Sequence, residues 1–332
     1  MKLFQIRVRK RRPAPREAAE GGAPRRLRVF VTGATGYIGS AVVRELVSAG
    51  HEVTGLTRWA EKTLEIRALG ARAVVGDLLD PNSYRRVAAA HDVLIHAAGI
   101  PWPRGEAAER GAVEGLLWAA GQGERREDEP PRSVIYTSSC FVLGNTGDLA
   151  ADESAPVATA PEAAVWRAAY ERRVLAANSE AVAAAVIRPG VVYGGRRGLI
   201  SAFFASAEEE GAAAFVGDGR NRWSLIHRED LARLYRLVAE QRARGIFHGT
   251  DGSAVPVAEL ARAASDAAGK GGAVRSIPLD EARQAMGPGA EALTLDQVIC
   301  ARQAESLGWR PAHPPFIESV EAVYREWKEA AP

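Results

Sequence analysis

The stretch that most constrains this chain is residues 28–39, in which a short apolar run leads into evenly spaced glycines. The run at 29–31 is typical of a buried parallel strand. The glycines follow at a spacing of three: Gly33, Gly36 and Gly39. A helical periodicity then takes over at residues 37–47. Because glycine lets the backbone approach a ligand and a helix N-terminus favours an anion, this strand, turn and helix predict a pyrophosphate site.

The glycine spacing is G-x-x-G-x-x-G, which differs from the G-x-G-x-x-G dinucleotide fingerprint. Three glycines alone would be a weak signal, since the chain holds 33 of them. The flanking strand and helix make the signal strong.

The composition predicts a soluble α/β protein of the cytoplasm. The 332 residues, 47% of them apolar, can bury one large core or one core with a smaller lobe. Cys140 and Cys300 give no disulfide framework and suit a reducing compartment. No apolar run approaches membrane-spanning length, and the N-terminus lacks the apolar region of a signal peptide.

Charge is concentrated at the N-terminus. Residues 1–28 hold ten Lys or Arg and two Glu, a net of +8 within an overall +2, which leaves −6 for the rest. The body therefore offers no broad basic surface for nucleic acid. We interpret residues 1–26 as a disordered extension or as translated sequence upstream of the true start; a nucleic-acid arm or a targeting peptide is the alternative.

Strands and helices alternate from residue 27 to 190. The predicted strands are 28–32, 52–56, 72–75, 92–96, 133–137 and 184–188. The predicted helices are 37–48, 60–68, 81–89, 105–121 and 162–178. This rhythm predicts βαβ units and a Rossmann-type, doubly wound parallel sheet. Residues 124–132, charged and broken by prolines, predict a surface loop.

Residues 191–332 predict a small substrate-binding lobe, interleaved with the Rossmann core. Its expected elements are a helix at 198–209, a strand at 223–227, a helix at 229–240, a strand at 245–248, and helices at 256–268 and 314–329. Such a lobe would lie over the carboxyl ends of the strands, where open α/β sheets bind ligands.

Several motifs occur in an order that resembles the extended short-chain dehydrogenase/reductases, the epimerase/dehydratase group. They are Thr32–Gly39, Gly76–Leu78, His96–Gly99, Tyr136–Ser139, Arg188–Gly194, Trp223–His227, Asp230–Ala232 and Leu307–Pro311. The resemblance covers about residues 27–329. It implies NAD(P) binding by Gly33, Thr35, Gly36, Tyr37, Ile38, Gly39, Arg58, Asp77, Leu78, Ala97, Ala98, Gly99, Pro189 and Val191.

Arg58 favours NADP over NAD, although NAD stays possible. An acidic residue after the second strand would bind both ribose hydroxyls, whereas arginine suits a 2′-phosphate, and no Asp or Glu occurs at 53–60. A solvated loop arginine is the alternative. Asp77 resembles the family's adenine contact, but it could simply cap a turn. Residues 97–99 would pass close to the nicotinamide ribose, or serve tight packing.

The resemblance implies a catalytic Ser, Tyr and Lys, and here the Lys is missing. Ser139 occupies the serine position, with Ser138 as an alternative, and Tyr170 falls on the next long helix. Val174 stands where the lysine is expected, so Arg173 is the nearby cation that could partly substitute. Either Tyr170 works as an un-activated phenol, or it is structural and hydride chemistry is altered or lost.

Other candidate residues carry weaker signals. The six histidines include no pair with metal-ligand spacing and carboxylates, so no metal is expected. His96 is expected to pack at a strand end, with contact to the cofactor as the alternative. Asp230, beside His227, is expected to start a helix rather than to act as a catalyst. Three aromatic residues after strand ends could line a substrate pocket: Trp102, Phe141 and Tyr193.

These features predict an NADP(H)-dependent oxidoreductase, epimerase or dehydratase acting on a small-molecule carbonyl or alcohol. A non-catalytic NADP(H)-sensing protein on the same fold is the alternative. Helices 105–121 and 162–178 resemble the pair through which relatives dimerise, so a homodimer is expected. Neither nucleic acid nor a membrane is an expected partner.

Overall fold

The computed structural model describes residues 25–99, 104–123, 129–157 and 162–330. Its strands are β1 (Arg28–Thr32), β2 (Glu52–Thr57), β3 (Arg72–Val75), β4 (Val93–His96), β5 (Arg132–Thr137), β6 (Val182–Pro189), β7 (Val191–Tyr193), β8 (Ala213–Val216), β9 (Arg222–Trp223), β10 (Leu225–His227), β11 (Gly245–Gly249), β12 (Val255–Pro256) and β13 (Val274–Ile277). Its α-helices are α1 (Tyr37–Ser48), α2 (Thr63–Ala68), α3 (Arg85–Ala88), α4 (Gly105–Ala120), α5 (Glu162–Leu175), α6 (Leu199–Glu210), α7 (Arg228–Glu240), α8 (Val257–Ala267), α9 (Leu279–Met286), α10 (Arg302–Ser306) and α11 (Phe316–Glu329).

Short 3₁₀ turns supplement these elements at Ala60–Lys62, Pro81–Ser83, Cys140–Leu143 and Gly287–Thr294. No helix within the described ranges is long and apolar enough to cross a membrane. Residues 1–24 of the predicted extension 1–26, residues 124–128 of the predicted loop 124–132, and Trp102 lie outside the described residues. Arg132, predicted as the last loop residue, begins β5.

Seven of the described strands form one parallel sheet in the order β3-β2-β1-β4-β5-β6-β11. The chain winds outward from β1 to β3 and then, on the other side of β1, from β4 to β6. Ligands bind an open sheet of this kind at the carboxyl ends of the strands where the winding reverses. The predicted Rossmann-type parallel sheet is confirmed, and its reversal point lies between β1 and β4.

The inner strands are continuous apolar runs because both faces of the sheet are covered. Val29 and Val31 pack into a core layer shared with α1 and α7. Phe30, between them, points to the opposite layer, which contains apolar side chains of α4. Each of the three side chains is fully buried. The alternation is the two-residue period of a strand, with both sides buried instead of one.

Two elements that the sequence analysis grouped with the small lobe belong to the Rossmann core. Strand β11, predicted at 245–248, pairs with β6 and forms the edge of the main sheet. Helix α7 buries Leu231, Leu234 and Val238 in the same layer as α1. Together α7 and β11 extend the sheet as a further crossover unit, which proximity in sequence to the lobe does not reveal.

The lobe is built on its own apolar cluster, to which α6, α8 and α11 contribute. Its short strands pair as β10 with β7, β9 with β12, and β8 with β13. Several of these strands were not predicted, because two to four residues are too few to show a clear periodicity.

Candidate active site

The turn between β1 and α1 needs glycine at two positions. Gly33 has a φ of +71°, and a Cβ there would lie 2.6 Å from the backbone Cα of Ala98. A Cβ on Gly39 would lie 2.1 Å from the carbonyl oxygen of Gly33. Gly36 is the N-cap of α1, and no side chain caps that helix. The turn therefore presents free helix N–H groups beside closely packed backbone, which fits a pyrophosphate.

A cleft of about 210 Å³ opens beside this turn at the ends of β1 to β4. Its lining residues are Gly33, Thr35, Leu56, Thr57, Arg58, Trp59, Lys62, Gly76, Asp77, Leu78 and Ala98. Six predicted cofactor residues are thus brought together: Gly33, Thr35, Arg58, Asp77, Leu78 and Ala98. Sequence reasoning missed Trp59 and Lys62, although both closely follow Arg58.

Two positively charged side chains and one carboxylate are among the residues that line the cleft. Arg58 and Lys62 come from the segment after β2, and the Arg58 guanidinium carbon lies 4.6 Å from the ring centroid of Trp59. Asp77 is the acidic lining residue. Its Oδ1 accepts a hydrogen bond from the backbone N–H of Leu79 at 3.0 Å, so the turn-capping role considered above is realised.

The other predicted cofactor residues lie around the same edge. Tyr37 donates its hydroxyl to the carbonyl of Gly194 at 2.8 Å, and Ile38 packs against the core. Burial raises the pKa of Tyr37 well above its usual range. Ala97 is half-buried beside the exposed Gly99.

Pro189 and Val191 mark the passage from β6 to β7. Pro189 ends β6, and the N–H of Val191 donates to the carbonyl of Ser224 at 2.8 Å. Val191 is buried in the apolar cluster of the lobe. The two residues therefore join the main sheet to the lobe.

Ser139 lies two residues beyond the end of β5. Its hydroxyl accepts a hydrogen bond from the N–H of Phe141 at 3.2 Å and thereby caps the following 3₁₀ turn. Ser138 is buried, and among the described residues its hydroxyl has no hydrogen-bond partner.

Tyr170 is not brought to Ser139 by any described contact. It packs in the layer containing α4 and lies edge-on to Trp166, and burial together with Glu106 raises its pKa. Val174 is buried, and Arg173 is exposed. The packing favours the second interpretation given above, in which this tyrosine is structural.

Another basic residue of α5, Arg167, contacts the carboxyl end of a strand of the main sheet. Arg167 donates through Nη1 to the carbonyl oxygen of Thr137, the last residue of β5, at 3.4 Å. The same nitrogen lies 3.5 Å from Oε1 of Glu109. Oε2 of Glu109 lies 3.4 Å from Nε2 of His96, at the end of β4. No sequence pattern indicated this cluster, because its members are distant in the chain.

The charge states within the cluster follow from its contacts. Burial opposes the charged form of Glu109, but His96 and Arg167 outweigh burial and hold its pKa below its usual range. His96 shares a 2.7 Å hydrogen bond between its Nδ1 and the hydroxyl of Thr32.

Asp230 ties the C-terminal segment to α7 and does not cap the helix. Its two carboxylate oxygens accept the N–H groups of Ala312 and His313 at 3.0 and 3.1 Å. The cap is His227, whose Nδ1 accepts from the N–H of Glu229. Asp230 thus lies in the first turn of α7, as expected for a helix-start residue, while its carboxylate binds residues 82 and 83 positions along the chain.

His227, Glu229 and His313 bring possible metal-ligand atoms within 4.8 Å of one another, a grouping that the sequence did not predict. The two imidazole rings are stacked with centroids 3.7 Å apart and planes 22° apart. Nitrogen lone pairs lie in the ring plane, so those of stacked rings run nearly parallel and do not converge on one ion. The other aromatic candidates, Phe141 and Tyr193, pack in the lobe's apolar cluster.

Residues 29–248 match the model of the NAD dependent epimerase/dehydratase family. The chain is 31% identical over 305 residues to the protein C2A9.02 of Schizosaccharomyces pombe, covering 89% of this chain and 98% of that one. It is 29% identical over 251 residues to the 2-alkyl-3-oxoalkanoate reductase of Stenotrophomonas maltophilia, covering 70% and 73%. Among solved structures, DesIV, a dTDP-glucose 4,6-dehydratase from Streptomyces venezuelae, superposes with a TM-score of 0.75 at 22% identity, covering 91% and 97%.

The family match spans well over half of the chain, and the sheet order and glycine turn agree with it. This protein belongs to the NAD dependent epimerase/dehydratase family. This is a family of enzymes that bind nicotinamide dinucleotides and act on small molecules.

Proposed function

We propose that this protein is an NADP(H)-dependent oxidoreductase that reduces a small-molecule carbonyl group. The observation that carries the proposal is the glycine turn, where Gly33 runs against the backbone of Ala98 at the uncapped start of α1. The similarity to a 2-alkyl-3-oxoalkanoate reductase supports reduction. Epimerisation and dehydration are the other reactions that the family name includes.

The proposal assigns the cofactor's parts to separate residues. The Gly33–Gly39 turn holds the pyrophosphate, and Arg58 with Lys62 holds the 2′-phosphate. Asp77 and Leu78 receive the adenine, and residues 97–99 the nicotinamide ribose. The bound cofactor supplies hydride; the chain's own residues bind and orient it. Two cations facing one carboxylate in the cleft favour the phosphorylated cofactor over NAD.

A non-catalytic NADP(H)-sensing role is the second candidate. It is favoured by the packing of Tyr170 against α4, because no described contact then supplies a phenol to Ser139. A cytoplasmic location and a homodimer through α4 and α5 stay predictions, which fractionation and sedimentation would test.

The deciding experiment combines binding with turnover. The full-length protein is titrated with NADPH and with NADH by fluorescence, and NADPH consumption is then followed with ethyl acetoacetate and acetoacetate as carbonyl probes. We expect tighter binding of NADPH and consumption with at least one probe. Tight binding without consumption would favour the sensor, and failure to bind either dinucleotide would contradict both functions.

A further inference from the structure

The cluster of Arg167, Glu109 and His96 lies at the strand ends and has no part in the cofactor assignments above. The side chains of Glu109 and His96 are each only 3% exposed, whereas that of Arg167 is 22% exposed. Arg167 is therefore the point at which a buried ionic group comes closest to solvent. Through Thr137 it is anchored two residues before Ser139.

Arg167 retains hydrogen-bonding capacity for a ligand. A guanidinium carries five N–H donors in a fixed plane. The contacts with Thr137 and Glu109 are both made by Nη1, and the guanidinium carbon lies 4.6 Å from the ring centroid of Trp166. Among the described residues the guanidinium makes no other hydrogen bond or ion pair, so the N–H groups on Nε and Nη2 are available to a ligand.

The charge of the cluster indicates the kind of ligand. Glu109 is ionised and lies against Arg167, so the pair is close to neutral overall. An arginine whose charge is compensated by a carboxylate still donates strong, oriented hydrogen bonds. It attracts a free anion less than an unpaired arginine does. The pair therefore suits a neutral acceptor such as a carbonyl oxygen.

We propose that Arg167 binds the reacting carbonyl oxygen of a neutral substrate beside Ser139, and that the buried Glu109, supported by His96, positions it. The inference rests on the proposed function. When hydride adds to the carbonyl carbon, the C=O π electron pair moves onto the oxygen. Arg167 stabilises that oxygen without losing its own proton, and solvent water supplies the proton that completes the alcohol.

The test compares four variants: Arg167→Gln, Arg167→Lys, Glu109→Gln and, as a control on an exposed position of the same helix, Arg172→Gln. Each is assayed for NADPH dissociation constant, for melting temperature, and for kcat and KM with ethyl acetoacetate and with acetoacetate. Binding of both probes to the NADP⁺-loaded protein is measured by calorimetry as a readout independent of turnover.

We expect Arg167→Gln to lower kcat for ethyl acetoacetate by about 10²-fold and to weaken its binding, with NADPH affinity within about twofold of wild type. Arg167→Lys should recover part of the loss. Glu109→Gln removes the compensating charge, so the ratio of kcat/KM for ethyl acetoacetate to that for acetoacetate should fall about tenfold. A purely structural role would lower the melting temperature and leave this ratio unchanged.

Two results would overturn the inference while leaving the proposed function intact. One is an Arg167→Gln variant that reduces ethyl acetoacetate as well as wild type does. The other is a variant whose main defect is in NADPH affinity, which would place Arg167 in cofactor binding. Wild-type protein that binds NADPH but neither binds nor reduces either probe would contradict the proposed function and the inference together.

Discussion

Glu171 on α5 and Arg188 on β6 form a buried ion pair with two hydrogen bonds, of 2.6 and 2.9 Å. The pair fixes which face of α5 looks toward the sheet. Arg167, one turn earlier, lies on that face, and Tyr170, one residue before Glu171, is rotated about 100° away from it toward α4. This rotation accounts for the different surroundings of the two side chains.

Neutralising one partner of that ion pair should destabilise the folded protein. Glu171→Gln leaves the Arg188 charge buried without compensation, so we expect the free energy of unfolding to fall by about 3–5 kcal/mol. Urea denaturation measures the loss. As a control, Asp280→Asn breaks an exposed pair with Arg283 and should have a far smaller effect. Equal losses in the two variants would contradict this account of α5.

The glycine turn predicts different outcomes for two neighbouring glycines. Gly36 has a φ of −78°, and its nearest neighbour to an added Cβ is the Gly33 carbonyl oxygen at 3.0 Å. Because this φ is open to any residue and the contact is longer than that at Gly33, Gly36→Val should disturb the fold less than Gly33→Ala and abolish NADPH binding by filling the pyrophosphate site. Gly33→Ala should instead lower the melting temperature, because its Cβ meets the Ala98 backbone. Fluorescence titration and thermal melting separate the two effects; unchanged NADPH affinity in Gly36→Val would contradict the site.

Cofactor choice should depend on Arg58 and Lys62. Replacing either by alanine should weaken NADPH more than NADH, by about 1.5–3 kcal/mol if a charged hydrogen bond is lost. Arg67→Ala, an exposed change on α2 outside the cleft lining, serves as the control. Parallel titrations with the two dinucleotides provide the measurement. Equal weakening of both would show that neither cation meets a 2′-phosphate.

Tyr170→Phe discriminates between the two interpretations of that tyrosine. The phenyl ring retains the packing against α4 and loses only the hydroxyl. If the packing is its main role, kcat should change by less than about threefold. A loss of about 10²-fold would instead identify the phenol as an acid in the reaction. Steady-state reduction of ethyl acetoacetate supplies the comparison.

His248 should make stability depend on pH. Burial, with Arg188 adding to it, lowers its pKa to about 4, while its Nδ1–H donates to the carbonyl of Cys300 at 3.0 Å. Between about pH 6.5 and 4 the imidazole of His248 is protonated in the unfolded chain but stays unprotonated in the folded chain. Stability is therefore complete above this window and falls as the pH drops through it, by up to about 3 kcal/mol.

The control for this prediction is His248→Gln, which removes the titrating ring. Urea unfolding of both proteins at several pH values isolates the contribution, because all other ionisable groups are shared. The difference between the two stability curves should change through the window. A constant difference would contradict the assignment to His248.

The central sheet could be predicted because its signals are local. The apolar run 29–31, the glycine turn and the periodicity of α1 each lie within a dozen residues, and the observed α1 has the predicted bounds. The same locality identified Arg58, since it directly follows a strand. Lys62 was missed because a 3₁₀ turn, which carries no periodic pattern, brings it to the cleft.

The site around Ser139 could not be predicted to the same depth. Which face of α5 meets the sheet depends on Glu171 and Arg188, 17 residues apart, and spacing from a motif does not reveal that rotation. The contacts of Glu109 with His96 and Arg167 likewise join three separate elements. Such contacts arise from packing, and a single sequence contains no pattern that reports them.

The position of β11 in the main sheet constrains how the lobe of this protein can evolve. The chain enters the lobe at β7, returns to the main sheet with α7 and β11, leaves again for α8, and comes back to the core at Trp309 before α11. A lobe threaded in this way cannot be exchanged as a cassette between relatives, because cutting it out would remove an edge of the sheet. Any exchange of lobe segments between relatives therefore has to leave α7 and β11 in place.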